Sequence, residues 1–412
     1  MQKIIFISIL FFYGCLQSVE AKSIDVCPTC NHPTIKSAIA AADNGDEIKI
    51  KAGTYKEHSI TISKSLDIVG EGEVIVDGEN LGTIFTINAD HFSIQGLTII
   101  NVGQSYTKDF SALLVHKANH FTIKNNIFKN VFFGIMIEKS HHGVIEGNKV
   151  SGNGTSESNS GNGVHIWHSS NMVVRNNEVS HLRDGIYFEF VTESMVNDNL
   201  SHDNIRYGLH FMFSNNDEYI NNAFTNNGAG VAVMFSKFIN MKSNTFKDNW
   251  GTASYGLLLK EIYDAEIESN NFIRNTIGIT AEGSTRVNYK KNNFNNNGWA
   301  VRITGACYLN LFTSNNFFDN SFDLSYNGQM NDNKFEGNYW SAYTGYDLDR
   351  NGIGDIAFRP VKLFSYIVNQ TPETIVLLRS LFVDIINFSE KVSPVFTPDK
   401  LTDDKPLMKP WK

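Results

Sequence analysis

Residues 208–228 read GLHFMFSNNDEYINNAFTNNG, and this stretch decides the fold. It opens on a glycine followed by alternating apolar residues, then carries an asparagine two positions before a phenylalanine. Counterparts of that asparagine stand at Asn126, Asn148, Asn177, Asn199, Asn222, Asn244, Asn270, Asn292, Asn315 and Asn333, at intervals of 22, 29, 22, 23, 22, 26, 22, 23 and 18. The two longest intervals contain visible insertions, GNGTSESNSGNG at 152–163 and NWGTAS at 249–254. Two positions after the asparagine, phenylalanine stands at 128, 224, 246, 272, 294, 317 and 335. Five positions after it, a second asparagine stands at 153, 204, 227, 249, 275, 297, 320 and 338. Three columns held in register over two hundred residues define a repeat protein.

The repeat is rich in Gly, Asn and β-branched residues, which argues against helical units. Between the asparagines run GIMIE, GVHIW, GIYFE, GLHFM, GVAVM and GLLLK, whose strict alternation indicates strands with one buried face. The fold class expected is all-β, a right-handed single-stranded parallel β-helix of about 22-residue coils. In such a stack equivalent residues lie about 4.8 Å apart. An asparagine then bonds the one above and the one below as a ladder, and also suits left-handed turns. TIKSAIAAADNG predicts a short helix from Thr34 to Ala42 capping one end, with strands around 47–51, 59–62, 66–69 and 73–76. The cylinder is expected to end near Trp340.

The first 21 residues, MQKIIFISILFFYGCLQSVEA, fit a cleaved export signal, because the apolar run from Ile4 to Tyr13 is too short to cross a bilayer. Cys15 after Gly14 leaves a lipid-modified terminus as the alternative. A net charge of −8 without a basic stripe argues against nucleic acid. Cleavage would leave Cys27, Cys30 and the lone Cys307. For CPTC two readings stand: a local disulfide, or a thiolate metal site of Cys27, Cys30 and His32. Domain bounds follow: 1–21 signal, 22–345 β-helix, 346–365 an Asp/Gly-rich loop, and 366–412 a helix and tail.

In the glycine-led strands the first and third residues after glycine are apolar and point inward. The second and fourth are expected to point outward. The second column reads Met136, His165, Tyr187, His210, Ala232, Leu258; the fourth reads Glu138, Trp167, Glu189, Met212, Met234, Lys260. A solvent face would be polar, so a partner or ligand is expected to cover this one. Imidazole with thioethers suits Cu(I), which makes His210, Met212 and Met234, with His165 and Met136, candidate transient copper ligands. The bland alternative is a protein interface in which Tyr187 and Trp167 serve packing alone. His141, His142 and His168 read as loop histidines. Catalysis by Glu138 and Glu189 is disfavoured, since they stand two coils apart with Trp167 between them. No catalytic residue is assigned.

DLDRNGIGD places oxygen donors at Asp347, Asp349, Asn351 and Asp355, with Gly352 at the sharp turn, like the first nine positions of a calcium loop. Phe358 occupies the closing position, and a metal-free Asx turn is the alternative. Thr371-Pro372-Glu373 predicts a helix start, followed by an apolar stripe of Ile375, Leu378, Phe382, Ile385 and Ile386. That helix is expected to dock a partner through Leu378, Phe382 and Ile385, with an extended tail beyond Pro394.

The opening TIKSAIAAADNGDEIKIKAGTYKE, the coils, the signature NYWSAYTGYDLDRNGIGDIAFRPVKLF and the ending LLRS…DDKPLMKP together resemble one family, NosD, of the CASH-type right-handed β-helix class. The resemblance covers nearly the whole chain after the export signal. It implies a non-enzymatic periplasmic protein that works with an ABC transporter made of an ATPase and a membrane subunit. It further implies copper-related input from a lipoprotein chaperone and service to the copper centres of nitrous oxide reductase. The C-terminal segment would then clasp the membrane subunit. A carbohydrate-binding or carbohydrate-cleaving β-helix is the alternative.

Overall fold

The computed structural model describes residues 21–105, 107–327, 332–392 and 401–411. Residues 1–20 of the expected export signal and the tail from 393 to 400 lie outside them. The strands form two sheets, one of 25 strands and one of 12, and every ladder between named strands is parallel. Each coil gives one strand to the smaller sheet and, in most coils, two short ones to the larger, which bends at residues in the left-handed region. The stack is a solenoid whose neighbouring coils meet like on like: Phe224 pairs with Phe246, and Phe246 with Phe272.

The asparagine column is a continuous hydrogen-bonded ladder. Asn222 Nδ2 donates to Asn244 Oδ1 at 3.0 Å, and Asn244 Nδ2 to Asn270 Oδ1 at 3.0 Å. Each Oδ1 also accepts the backbone N–H of the asparagine one coil earlier, so every member is satisfied although fully buried. The ladder asparagines do not make the left-handed turns. The residues just before them do: Asn125, Asn176 and Asn221 have φ of 54°, 54° and 55°. In an Asn-Asn pair one residue bends the chain and the next bonds its neighbours. A second ladder runs Asn204, Asn227, Asn249, Asn275, Asn297, Asn320.

The tenth repeat is corrected. Asn333 bonds Asn310, not Asn315, and Asn315 Nδ2 reaches Asn338 Oδ1 at 2.9 Å. The short interval of 18 marked a change of column, since residues 334–336 pair with 311–313 on a different limb of the sheet. The inner ring stack follows the corrected register: Phe246, Phe272, Phe294, Phe317 and Trp340 lie with successive centroids 4.6, 5.0, 4.8 and 4.0 Å apart.

Helix α1, Ile35–Ala41, covers the N-terminal end. Thr34 and Ser37 form a capping box, and the Glu57 carboxylate accepts from the N–H of Ile35 at 2.6 Å and of Lys36 at 3.1 Å. Cys27 and Cys30 are joined in a disulfide, and Cys307 is buried and free.

The C-terminal expectation changes more. Helix α2, Leu363–Gln370, precedes Thr371; Pro372 opens a 3-10 turn to Leu377; helix α3 then runs Leu381–Val392. Pro372 lacks the N–H that would continue α2, and its ring biases Thr371 away from helix, so the chain restarts. The predicted single stripe therefore splits. Leu378 and Ile386 pack with buried Val383 against Phe322, Phe364, Val368 and Trp299, while Phe382 and Ile385 stay 53% and 55% exposed.

The end of the tail is not a free extension. Asp403 is fully buried, and its Oδ2 accepts from Asn338 N–H, Asn338 Nδ2 and Trp340 Nε1 at 3.0, 3.0 and 3.1 Å. It occupies the place of the next asparagine and closes the ladder.

A half-covered wall of histidine, methionine and aromatic rings

The two columns assemble as the repeat requires. Met136 pairs with His165, His165 with Tyr187, Tyr187 with His210, and His210 with Ala232. Alongside, Trp167 pairs with Glu189, Glu189 with Met212, and Met212 with Met234. Met136 stands three strands from His210, about 14 Å by strand spacing, so it does not join the others. Glu138 and Glu189 are separated by Trp167, and Glu138 bonds His116 at 3.1 Å.

The second column is not the open face that alternation alone predicts. Met136, His210, Ala232 and Leu258 are buried. The chain roofs this column with its own rings. Tyr187 lies 4.7 Å from His165 and 4.9 Å from His210, and Tyr207 is 4.8 Å from His210. Alternation fixes the side of the sheet, but not what leans over that side. The fourth column, with Trp167, Met212 and Met234, is half-buried and forms the accessible margin.

Beneath the rings lies a charged cluster that the sequence reading missed. Fully buried Asp184 receives Arg206 Nε and Nη2 at 2.8 and 2.5 Å, and His210 Nδ1 stands 3.4 Å from the same carboxylate. Burial raises the Asp184 pKa, but the bonds from Arg206 and His210 outweigh it and hold the carboxylate below its usual range. With Nδ1–H turned to Asp184, His210 Nε2 is buried with no partner, and His165 Nε2 is in the same condition. Burial, reinforced by Arg183, pulls His165 down to about 4, so its imidazole is neutral at neutral pH. Burial pushes the Tyr187 phenol up to about 12. Asp184 and Tyr207 each immediately precede the strand glycine. Alternation counted backward past that glycine would place them inward with Ile186 and Leu209, so it gave no signal for them.

Beside the methionines runs an exposed stack of rings, also unforeseen. His168, Phe190, Phe213 and Phe235 follow one another at 4.5, 5.1 and 5.2 Å, and all four hold φ between 46° and 54°. Phe238, next to it, is exposed with φ 55°. Bulky residues in that region are rare and strained, each at a cost of roughly 1–2 kcal/mol. His168, read as a loop histidine, is the first member of this stack.

The Asp-rich loop turns its oxygens inward onto its own amides. Asp347 Oδ1 and Oδ2 accept from Asn351 N–H and Gly352 N–H at 3.1 and 2.8 Å, and Asp355 Oδ2 accepts from Leu348 N–H at 2.8 Å. Asn351 Oδ1 accepts from Ile353 N–H at 2.7 Å. Among the described residues no three His, Cys, Asp or Glu side chains converge to hold a metal ion. No helix among them is long and apolar enough to cross a membrane.

Fold and wall define a parallel β-helix with a soft-donor margin, and comparison with known proteins agrees with the first part. Residues 23–179 match the family described as "Right handed beta helix region". Residues 150–345 match "Periplasmic copper-binding protein (NosD)". Over those residues the chain is similar to that family. It is 26% identical over 387 residues to a Pseudomonas aeruginosa protein described as "Probable ABC transporter binding protein NosD", covering 89% of each. A protein of Stutzerimonas stutzeri with the same description is 24% identical, covering 89% of this chain and 88% of its own length. Among solved structures, the Family 28 exopolygalacturonase of Yersinia enterocolitica superposes with a TM-score of 0.57 at 12% identity, over 77% of this chain and 78% of the other. At that identity the likeness concerns the fold alone.

Proposed function

We propose that this chain is a periplasmic, non-catalytic accessory protein of an ABC transporter, and that it serves the assembly of the copper centres of nitrous oxide reductase. The kinship with proteins described as periplasmic copper-binding and as transporter-binding supports the general role. One observation carries the reading: His210 is aimed by Asp184 so that its unpartnered Nε2 shares a sheet face with Met212 and the adjacent Met234. An imidazole oriented by a carboxylate, next to thioethers, suits transient contact with Cu(I) as cargo. His165, two coils away behind Tyr187, is a neutral imidazole on the route, and Met136 is buried beyond it.

The exposed rings from His168 to Phe235, with Trp167, form the apolar rim on which the copper-delivering lipoprotein docks. Their faces are taken up by one another, which leaves ribbed edges suited to the side chains of a protein partner rather than to sugar rings. Exposed Leu381, Phe382, Ile385 and Phe388 of α3 form the surface for the transporter's membrane subunit. Calcium at Asp347, Asp349, Asn351 and Asp355 would share those oxygens with the loop amides they already accept from, as a structural clamp. A strain lacking this gene should hold copper-deficient, inactive reductase, restored by the wild-type gene. A fully loaded reductase together with a defect in glycan use would point to the carbohydrate reading instead.

A further inference from the structure

The CPTC disulfide does no evident structural work. It closes a four-residue turn already closed by the Cys30 N–H to Cys27 carbonyl bond at 3.0 Å. The neighbouring chain is tied down without it. Val26 is buried and paired with Ile50, the Cys27 N–H reaches the His32 carbonyl at 3.3 Å, and Tyr55 Oη donates to the Val26 carbonyl at 3.1 Å. Entropic stabilisation by a cross-link grows with loop length, so this four-residue loop gains less than a long one would. Both cysteines are partly exposed and lie outside the core, open to thiol–disulfide exchange.

We propose that Cys27 and Cys30 form a redox-gated Cu(I) site, in which the dithiol binds one Cu(I) between two thiolates and the disulfide releases it. The donor set selects the metal. Zinc asks for four ligands, and no third His, Cys, Asp or Glu among the described residues converges here, whereas Cu(I) accepts a pair of soft thiolates. The Thr29 hydroxyl, 3.5 Å from Cys27 Sγ, is placed to donate to the sulfur once it is a thiolate. The dithiol loses two protons as it binds Cu(I). For release, a partner disulfide accepts the two electrons of the thiolates and takes up two protons to become two thiols, while Cys27 and Cys30 rejoin and Cu(I) departs unchanged. The site sits at the α1 end of the cylinder, away from the His/Met wall, and does not depend on that wall's role.

The test is an anaerobic competition for Cu(I) against bicinchoninate, using full-length mature protein reduced with dithiothreitol and then freed of it. Reduced wild type should retain about one equivalent more Cu(I) than oxidised wild type and than C27S/C30S, and glutathione disulfide should discharge that equivalent. Equal uptake by the reduced and oxidised forms overturns the proposal. So does a bond that dithiothreitol cannot open in the folded protein, or a reduced form that takes Zn(II) in preference to Cu(I). Should C27S/C30S misfold, the two redox forms of wild type still decide the question.

Discussion

Asparagine in this chain does two jobs that composition cannot separate. The ladder members sit in the core with all their amide atoms bonded, while their predecessors take up positive φ. Asn244→Ala would strand the N–H of Asn222, take one of two acceptors from its Nδ2 and remove a donor from the carbonyl of Tyr219. The expected loss is at least about 2 kcal/mol in chemical unfolding, since each buried orphan costs about 1–3 kcal/mol. Asn221→Ala should instead act through backbone strain and the loss of an exposed bond to Asp198, and cost less. Asp217 behaves differently: Oδ1 accepts the Ser194 N–H at 2.8 Å, but Oδ2 is buried without a partner. Burial, opposed by that backbone bond, raises its pKa to about 8. An acid whose folded value lies above its unfolded value of about 3.9 contributes its full stability below that lower value and loses it as pH rises through 8. Thermal unfolding of Asp217→Asn should show a higher midpoint than wild type at pH 8 and a smaller fall between pH 5 and pH 8. An identical pH dependence in the two proteins would refute the assignment. The sequence announced the asparagines through their spacing. It could not announce Asp217, whose strain comes from neighbours supplied by other coils.

Elements were legible where a local signal sets them. The Thr34 cap and the strand alternation needed no tertiary information, and both appear where expected. The C-terminus failed that test because two long-range contacts decide it. Helix α2 forms over Phe322 and Leu324, with the Ser365 hydroxyl bonded to the Leu324 carbonyl at 3.1 Å, and Asp403 reaches back 65 residues to Asn338. Asp403→Ala should speed amide exchange at Gly337 and Asn338 while leaving the 222–270 coils protected. Uniform acceleration along the cylinder would instead mean that the coils unfold as one unit. Removing residues 370–412 therefore takes away an end cap as well as a docking helix, and the α3 surface is better tested alone. Replacing Leu381, Phe382, Ile385 and Phe388 by Ser should abolish co-purification with the membrane subunit while leaving the unfolding midpoint of the cylinder unchanged. Full recovery of the complex would remove α3 from the interface.

At the scale of the whole molecule the stack converts sequence periodicity into vertical neighbourhood. That conversion made the columns of the wall readable in advance: Met212 does lie against Met234, and His210 against Tyr187. What it concealed was depth. Residues before each glycine and the rings above them bury half the wall, so a face expected to meet solvent became a cluster with Asp184 and Arg206 beneath it and an aromatic rim beside it. A cylinder braced by continuous ladders and stacked rings moves as one body, which suits a part that relays the motion of a membrane partner. The most direct measurement is the copper content of nitrous oxide reductase purified from a strain whose only copy of this protein carries H210A/M212A/M234A. The account predicts a copper-depleted reductase although the variant is exported and folded; a reductase with its full copper complement in that strain would contradict it.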